Sequence, residues 1–155
     1  MRTRPAVAAL WLAAAALAVA GASCRPRDTQ PKVVLNGRTL TVEVADTEGR
    51  RAAGLSNRRS LPEDHGMLFI FQGPQNLQFH MKDCYFPIDI AFLDTDGRIV
   101  NLETMAVEAD PANPRRIYRS DRPARYALEA AAGTWQRIGA QPGMKAEFVG
   151  LAGTR

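Results

Sequence analysis

Residues 77–94 read LQFHMKDCYFPIDIAFLD and set reactive side chains between two apolar runs. His80, Met81, Lys82, Asp83 and Cys84 stand in a row: an imidazole, two soft sulfur ligands, an ammonium and a carboxylate. The path of the chain here decides fold and site together. Side chains of a strand alternate faces with a period of two. Over residues 77–82 that period puts Leu77, Phe79 and Met81 on a core face, and Gln78, His80 and Lys82 on the other. The alternation breaks at Cys84-Tyr85-Phe86-Pro87, where Pro87 cannot donate to a ladder. It resumes with Ile88, Ile90 and Phe92 against Asp89 and Ala91. The stretch reads as strand, corner, strand, and the residues of such a corner can converge on a cleft.

Outward from this corner the pattern is of short strands. Residues 33–44 read as two strands about Asn36-Gly37, a strong hairpin signal. Asp46 is the expected N-cap of a short helix that closes near Gly54. Residues 67–71, MLFIF, form a buried strand, and Gly73-Pro74 is expected to turn the chain. Asp96-Gly97 is a second hairpin signal between strands 88–94 and 98–109. Residues 109–122 hold two prolines and no periodicity, which predicts a long loop. Residues 125–131 form a strand, 134–138 a short helix between Gly133 and Gly139, and 144–149 a last strand. Seven or eight short strands and two short helices predict a mainly β (α+β) fold, a small barrel-like antiparallel or mixed sheet.

The amino terminus carries a different signal. Arg2 and Arg4 precede the uncharged run AVAALWLAAAALAVA over residues 6–20, and GASC ends at Cys24. Basic head, short apolar middle and small residues predict an export signal over residues 1–23, then a flexible linker over 24–32 and one domain over 33–150. Small residues before Cys24 resemble the lipobox of bacterial lipoproteins, which implies lipidation of Cys24 and a protein held at a membrane by several acyl chains. Ordinary signal peptidase at Ala18-Val19-Ala20 or Ala20-Gly21-Ala22 is the alternative. Periplasm or cell envelope is the expected location in either case.

Composition narrows the function classes. A 155-residue chain with 46% hydrophobic and 23% charged residues is globular. Without Arg2 and Arg4, 18 basic residues face 16 acidic ones, and no cluster of five like charges appears. Nucleic-acid binding has little support. Copper on His80, Met81 and Cys84 would need Met81 to leave the core. A Cys84 nucleophile would need His80 brought close by the corner. No cofactor and no metal site is expected, and no serine lies in a Gly-x-Ser-x-Gly elbow.

Four stretches carry a resemblance: EVADTEGRRAAGL (43–55), RRSLPEDHGMLFIF (58–71), FHMKDCYFPIDIAFLDTDGRIV (79–100) and RYALEAAAG (125–133). Together they resemble the family called domain of unknown function 192, over roughly residues 33–150. The resemblance implies a small barrel-like β domain, often behind an export signal, and no established activity. Met81, Lys82, Pro87, Asp89, Arg51, Gly54, Gly66-Met67-Leu68-Phe69 and Glu129 match the family pattern. His80, Asp83 and Cys84 depart from it, which weakens the copper and thiol readings. A shared site should then rest on Lys82, Asp89, Glu129 and Arg51. Charges in apolar strands are costly unless paired or exposed. These four predict either an ion-pair network that pins the corner, or a polar pocket where Lys82 meets a small anionic ligand.

The function expected from this is a binding or accessory module of the cell envelope, with a small ligand or an envelope protein as its partner. The alternatives are an envelope enzyme using Lys82 with Asp89 or Glu129 as acid or base, and a structural lipoprotein.

Overall fold

A computed structural model describes residues 30–151. The expected export signal and Cys24 lie outside the described residues. Nine strands and two short helices follow one another as β1 (Lys32–Leu35), β2 (Arg38–Ala45), α1 (Glu48–Ala53), β3 (His65–Gln75), β4 (Gln78–Phe79), β5 (Ile88–Leu93), β6 (Ile99–Met105), β7 (Tyr118–Arg119), β8 (Ala124–Ala131), α2 (Thr134–Ile138) and β9 (Glu147–Val149). Seven of the strands form one mixed sheet in the order β6-β5-β8-β3-β2-β1-β9, and β4 pairs with β7 apart from it. Only β2 and β3 run parallel, and α1 lies in the crossover between them.

Local chemistry makes the turns. Asn36 (φ 48°) and Gly37 (φ 73°) both take left-handed backbone, which a two-residue hairpin requires, and β1 pairs with β2 across them. Asp94 Oδ1 accepts from the amides of Asp96 (2.9 Å) and Arg98 (2.8 Å), closing the turn from β5 to β6. The N-cap of α1 is Thr47, not Asp46: Thr47 is extended, and its hydroxyl accepts from the Arg50 amide at 3.3 Å. Asp46 instead accepts from the Arg50 guanidinium at 3.3 Å.

The sheet curls into a half-barrel. Ile99 N–H donates to Met144 O (2.9 Å), Gly143 N–H to Ile99 O (2.8 Å) and Ala146 N–H to Gly97 O (2.9 Å). The start of β6, at one edge, is thereby stitched to the segment before β9, at the other. The Tyr126 and Phe148 rings meet at 4.9 Å from strands far apart in the sheet order. Leu35, Leu68, Leu93, Ile99 and Trp135 fill the inside of the curl. Phe69, Ile88, Ile90, Phe92 and Met105 fill the opposite face, with Leu55, Leu77 and Met81 packed on them. The strand β5 is therefore buried on both faces, which explains its unbroken apolar run. Burying one such Phe or Leu contributes about 2–3 kcal/mol.

Five boundaries differ from the sequence reading, the first being β6, which ends at Met105 and not at Ala109. The strand β3 runs on through Gly73-Pro74 to Gln75, because its ladder with β8 skips from Ile70 to Gln75 and asks nothing of Pro74. The strand expected at 77–82 pairs only at Gln78–Phe79, although Leu77 and Met81 are buried and Gln78, His80 and Lys82 exposed, as alternation predicts. The loop 109–122 contains β7, a strand too short to show a period. Of the last strand only Glu147–Val149 joins the ladder with β1, since 143–146 bonds to β6 instead.

Candidate functional site

The alternation of side chains sorts the predicted site residues before any pocket is considered. In β8, Ala127 and Glu129 point away from the inside of the curl, while Tyr126, Leu128 and Ala130 point into it. Glu129 stands opposite Ile90 of β5 and Met67 of β3, and Met67 stands opposite Glu43 of β2. In β5 the neighbouring Asp89 falls on the other face. Glu129 and Asp89 are both buried, at 5% and 2% exposure, but the sheet separates them.

Asp89 is fully engaged. One carboxylate oxygen accepts from the Thr104 hydroxyl at 2.7 Å, the other from the Trp135 amide at 3.1 Å. The second bond serves the first turn of α2, whose N-cap is Gly133 and has no side chain to offer. Asp89 thus docks α2 against the sheet. Asp89→Ala would orphan the buried Trp135 amide, and we expect a loss of about 2–3 kcal/mol. Urea denaturation measures it; an unchanged midpoint would remove Asp89 from this role.

Glu129 has no such partners. No described residue donates a hydrogen bond to its carboxyl, and it takes part in no ion pair among the described residues. Burial pushes its pKa up to about 8, against a smaller opposing pull from Arg58. That guanidinium is committed to Glu43, with Nη2 at 2.9 Å from Oε2. Glu129 instead opens on a cleft of about 300 Å³ between α1, β4 and the sheet. Phe69, Phe71 and Phe79 form one side of it, with ring centroids 4.9 Å apart for Phe69 and Phe79 and 6.5 Å for Phe71 and Phe79.

Arg51 stands in the same cleft, on α1. Its Nη1 donates to Asp46 O (2.7 Å) and to Ile70 O (2.9 Å), and its guanidinium lies 5.1 Å from the centre of the Phe71 ring. Arg51 therefore ties α1 to β3 and shapes the wall. Lys82 is exposed at the corner and does not line this cleft. Its backbone matters more: Lys82 O accepts from the Ser56 hydroxyl at 2.8 Å. The corner is held by backbone bonds, Asn57 N–H to Asp83 O (2.7 Å) and Asp83 N–H to Pro111 O (2.8 Å). Asp83 sits at φ 53°, a position that Asn and Asp tolerate better than most residues.

Of the four predicted residues the fold brings Arg51 and Glu129 together and leaves Lys82 and Asp89 apart. The corner does carry His80 and Cys84 into the cleft, as a thiol site would need. The thiol is not activated there. Burial first, then the charge of Glu129, pushes Cys84 up to about 11, and its Sγ lies 3.5 Å from Lys82 O. His80 Nδ1 accepts from the Lys82 amide at 3.3 Å, while Met81 is wholly buried in the core. The aromatic wall went unread in the sequence. Its signal was available: Phe69 and Phe71 are two apart in one strand, so they share a face.

The cleft's main elements, Arg51, Phe69 to Phe71 and Glu129, all lie in stretches that resemble one family, and that family's sequence profile matches residues 32–148. The chain belongs to the family domain of unknown function 192. Its description reads "Uncharacterized ACR". A UPF0127 protein of Pyrococcus abyssi is 29% identical over 110 residues, 70% of this chain and 86% of that one. A Sinorhizobium meliloti crystal structure, provisionally described as a transcription regulator, is 38% identical with a TM-score of 0.68, covering 79% of this chain and 94% of that one. A protein of unknown function from Novosphingobium aromaticivorans is 30% identical with a TM-score of 0.67, covering 76% and 83%.

Proposed function

We propose that this member of domain of unknown function 192 is a small-molecule binding module of the cell envelope. It is exported by residues 1–23, held at a membrane when Cys24 is lipidated, and binds its ligand in the cleft above Glu129. The observation that carries the binding role is Glu129 itself. A buried carboxyl without a partner costs stability, and this one is placed where a bound molecule would reach it. Aromatic walls with a few convergent polar groups are the usual make-up of a ligand site.

A second reading has one observation in its favour. A carboxyl near pKa 8 can serve as a general acid at neutral pH. It lacks a nucleophile beside it, since Cys84 keeps its proton, so binding is the better supported role. The regulator description of the Sinorhizobium meliloti protein is not carried over to this chain. The two helices have six and five residues and lie against opposite faces of the sheet, so they form no helix-turn-helix.

Two measurements test the proposal. A fragment screen read by amide NMR should give shifts concentrated at residues 51–56, 78–80 and 129; hits scattered over the surface, or none, would remove the cleft as a site. Mass spectrometry of the native protein from membrane and soluble envelope fractions should find an N-terminus at a lipidated Cys24 or near Ala22. Recovery from the cytosol with residues 1–23 intact would end the envelope reading.

A further inference from the structure

We infer that the cleft takes a protonated amine on an apolar or aromatic body, its ammonium seated on the Glu129 carboxylate. This rests on the cleft being a ligand site, and it names what that site would recognise.

The argument is one of unmatched charge. Among the described residues, neither arginine near this region is free for Glu129. Arg58 is forked onto Glu43, Arg51 is bonded to two backbone carbonyls and stacked on Phe71, and the His80 Nδ1 is taken by the Lys82 amide. The ionised Glu129 has therefore no counterion of its own among the described residues, and the ligand is left to supply one. The walls suit the same charge. The faces of Phe rings carry negative quadrupole density, which attracts ammonium groups, and Phe69, Phe71 and Phe79 meet at steep angles of 80–90° that expose faces as well as edges. The volume of about 300 Å³ suits a small molecule rather than a peptide.

The groups around Glu129 set the pH behaviour. The helix α1 brings Glu48 and Arg51, the turn after it Ser56 and Arg58, and the corner His80, Asp83 and Cys84. On the sheet, β3 and β5 present Met67 and Ile90, which do not titrate. Glu129 holds its proton until about pH 8, whereas an alkylamine, like a lysine, is still charged there. A cationic ligand must displace that proton, so its affinity should rise with pH until the carboxyl is ionised.

The test compares 2-phenylethylamine with 2-phenylethanol, which differ only at the head group, by amide NMR titration of the purified protein. At pH 8.5 the amine should bind at least about ten-fold tighter than the alcohol. Below pH 7 its affinity should fall about ten-fold per unit, while the alcohol's stays level. Glu129→Gln should erase the amine's advantage over the alcohol. Equal binding of both probes, or an advantage that survives Glu129→Gln, overturns the ammonium assignment and leaves the cleft reading standing. Neither probe shifting the cleft amides up to about 10 mM also overturns it; the cleft reading then fails only if the wider fragment screen misses the cleft as well. The wild-type pH series decides the matter even if Glu129→Gln does not fold.

Discussion

Replacing Glu129 with Gln should make the stability of the domain nearly independent of pH between 5 and 8, where the wild type should lose on the order of 4 kcal/mol relative to the variant. The buried carboxyl keeps its proton up to about pH 8, whereas its ordinary value is 4.5. Between those two values the folded state binds more protons than the unfolded one, so stability falls as pH rises. Below 4.5 both states are protonated and no penalty exists. Above 8 both are ionised and the loss is complete, at about 1.4 kcal/mol for each unit crossed. Gln has nearly the same shape and no proton to lose, so the difference between the two pH profiles isolates this group. Melting curves should show the wild type falling by roughly 15 °C relative to the variant across that window. Parallel profiles would mean that water or a cation reaches Glu129, and the argument from an unmatched buried charge would fail with them.

Gly66→Ala should cost about 3 kcal/mol or more. A Cβ built at Gly66 would stand 2.6 Å from Glu129 O, a backbone atom of the adjacent strand β8. Leu128 Cδ1 at 3.5 Å and Val42 Cγ1 at 3.6 Å, from the strands on either side, would be in ordinary contact, so the backbone clash decides the cost. A flexible side chain could yield, but here two central strands must part and lengthen their ladder. Gly49→Ala, in α1, is the matched control, because nothing lies within 4 Å of the added methyl. It should raise stability by about 0.5–1 kcal/mol through helix propensity. Thermal and urea unfolding of both variants decide the matter. A Gly66→Ala protein that melts with the wild type would show that the strands separate at little cost.

This contact also gives a physical reason for the Gly-Met-Leu-Phe motif by which the family resemblance is drawn. The motif places a glycine at a close approach of two strands. It puts Leu68 inside the curl and Met67 and Phe69 on the face that carries the cleft.

Much of the architecture was legible in local patterns. Alternation along residues 77–82 placed Leu77 and Met81 inward and Lys82 outward. Asn36-Gly37 and Asp96-Gly97 marked their turns, and Gly133 and Gly139 bracketed α2. These signals are local: a period of two, or a residue that tolerates left-handed backbone, acts within a few positions. Strand ends were less legible, because a strand stops where its neighbour stops. Thus β3 outran the Gly73-Pro74 signal, and β7 formed in a proline-bearing loop because β4 lay beside it.

The candidate site shows the same division. The sequence by itself determined that Asp89 and Glu129 were charges in apolar strands, each in need of an explanation. Only the tertiary structure decided that the explanations differ. Asp89 lies in β5 one residue before Ile90, and Ile90 is the residue opposite Glu129 in β8. That single step puts the two carboxyls on opposite faces of one sheet. One face carries α2, whose first turn supplies an amide to Asp89. The other is overhung by α1 and β4, which leave a gap and supply Glu129 with nothing. Whether a buried carboxyl is a structural acceptor or a candidate binding group depends on which donors the rest of the chain brings to it. Those donors come from residues 15 and 46 positions away in the case of Asp89, a distance over which no local pattern carries information.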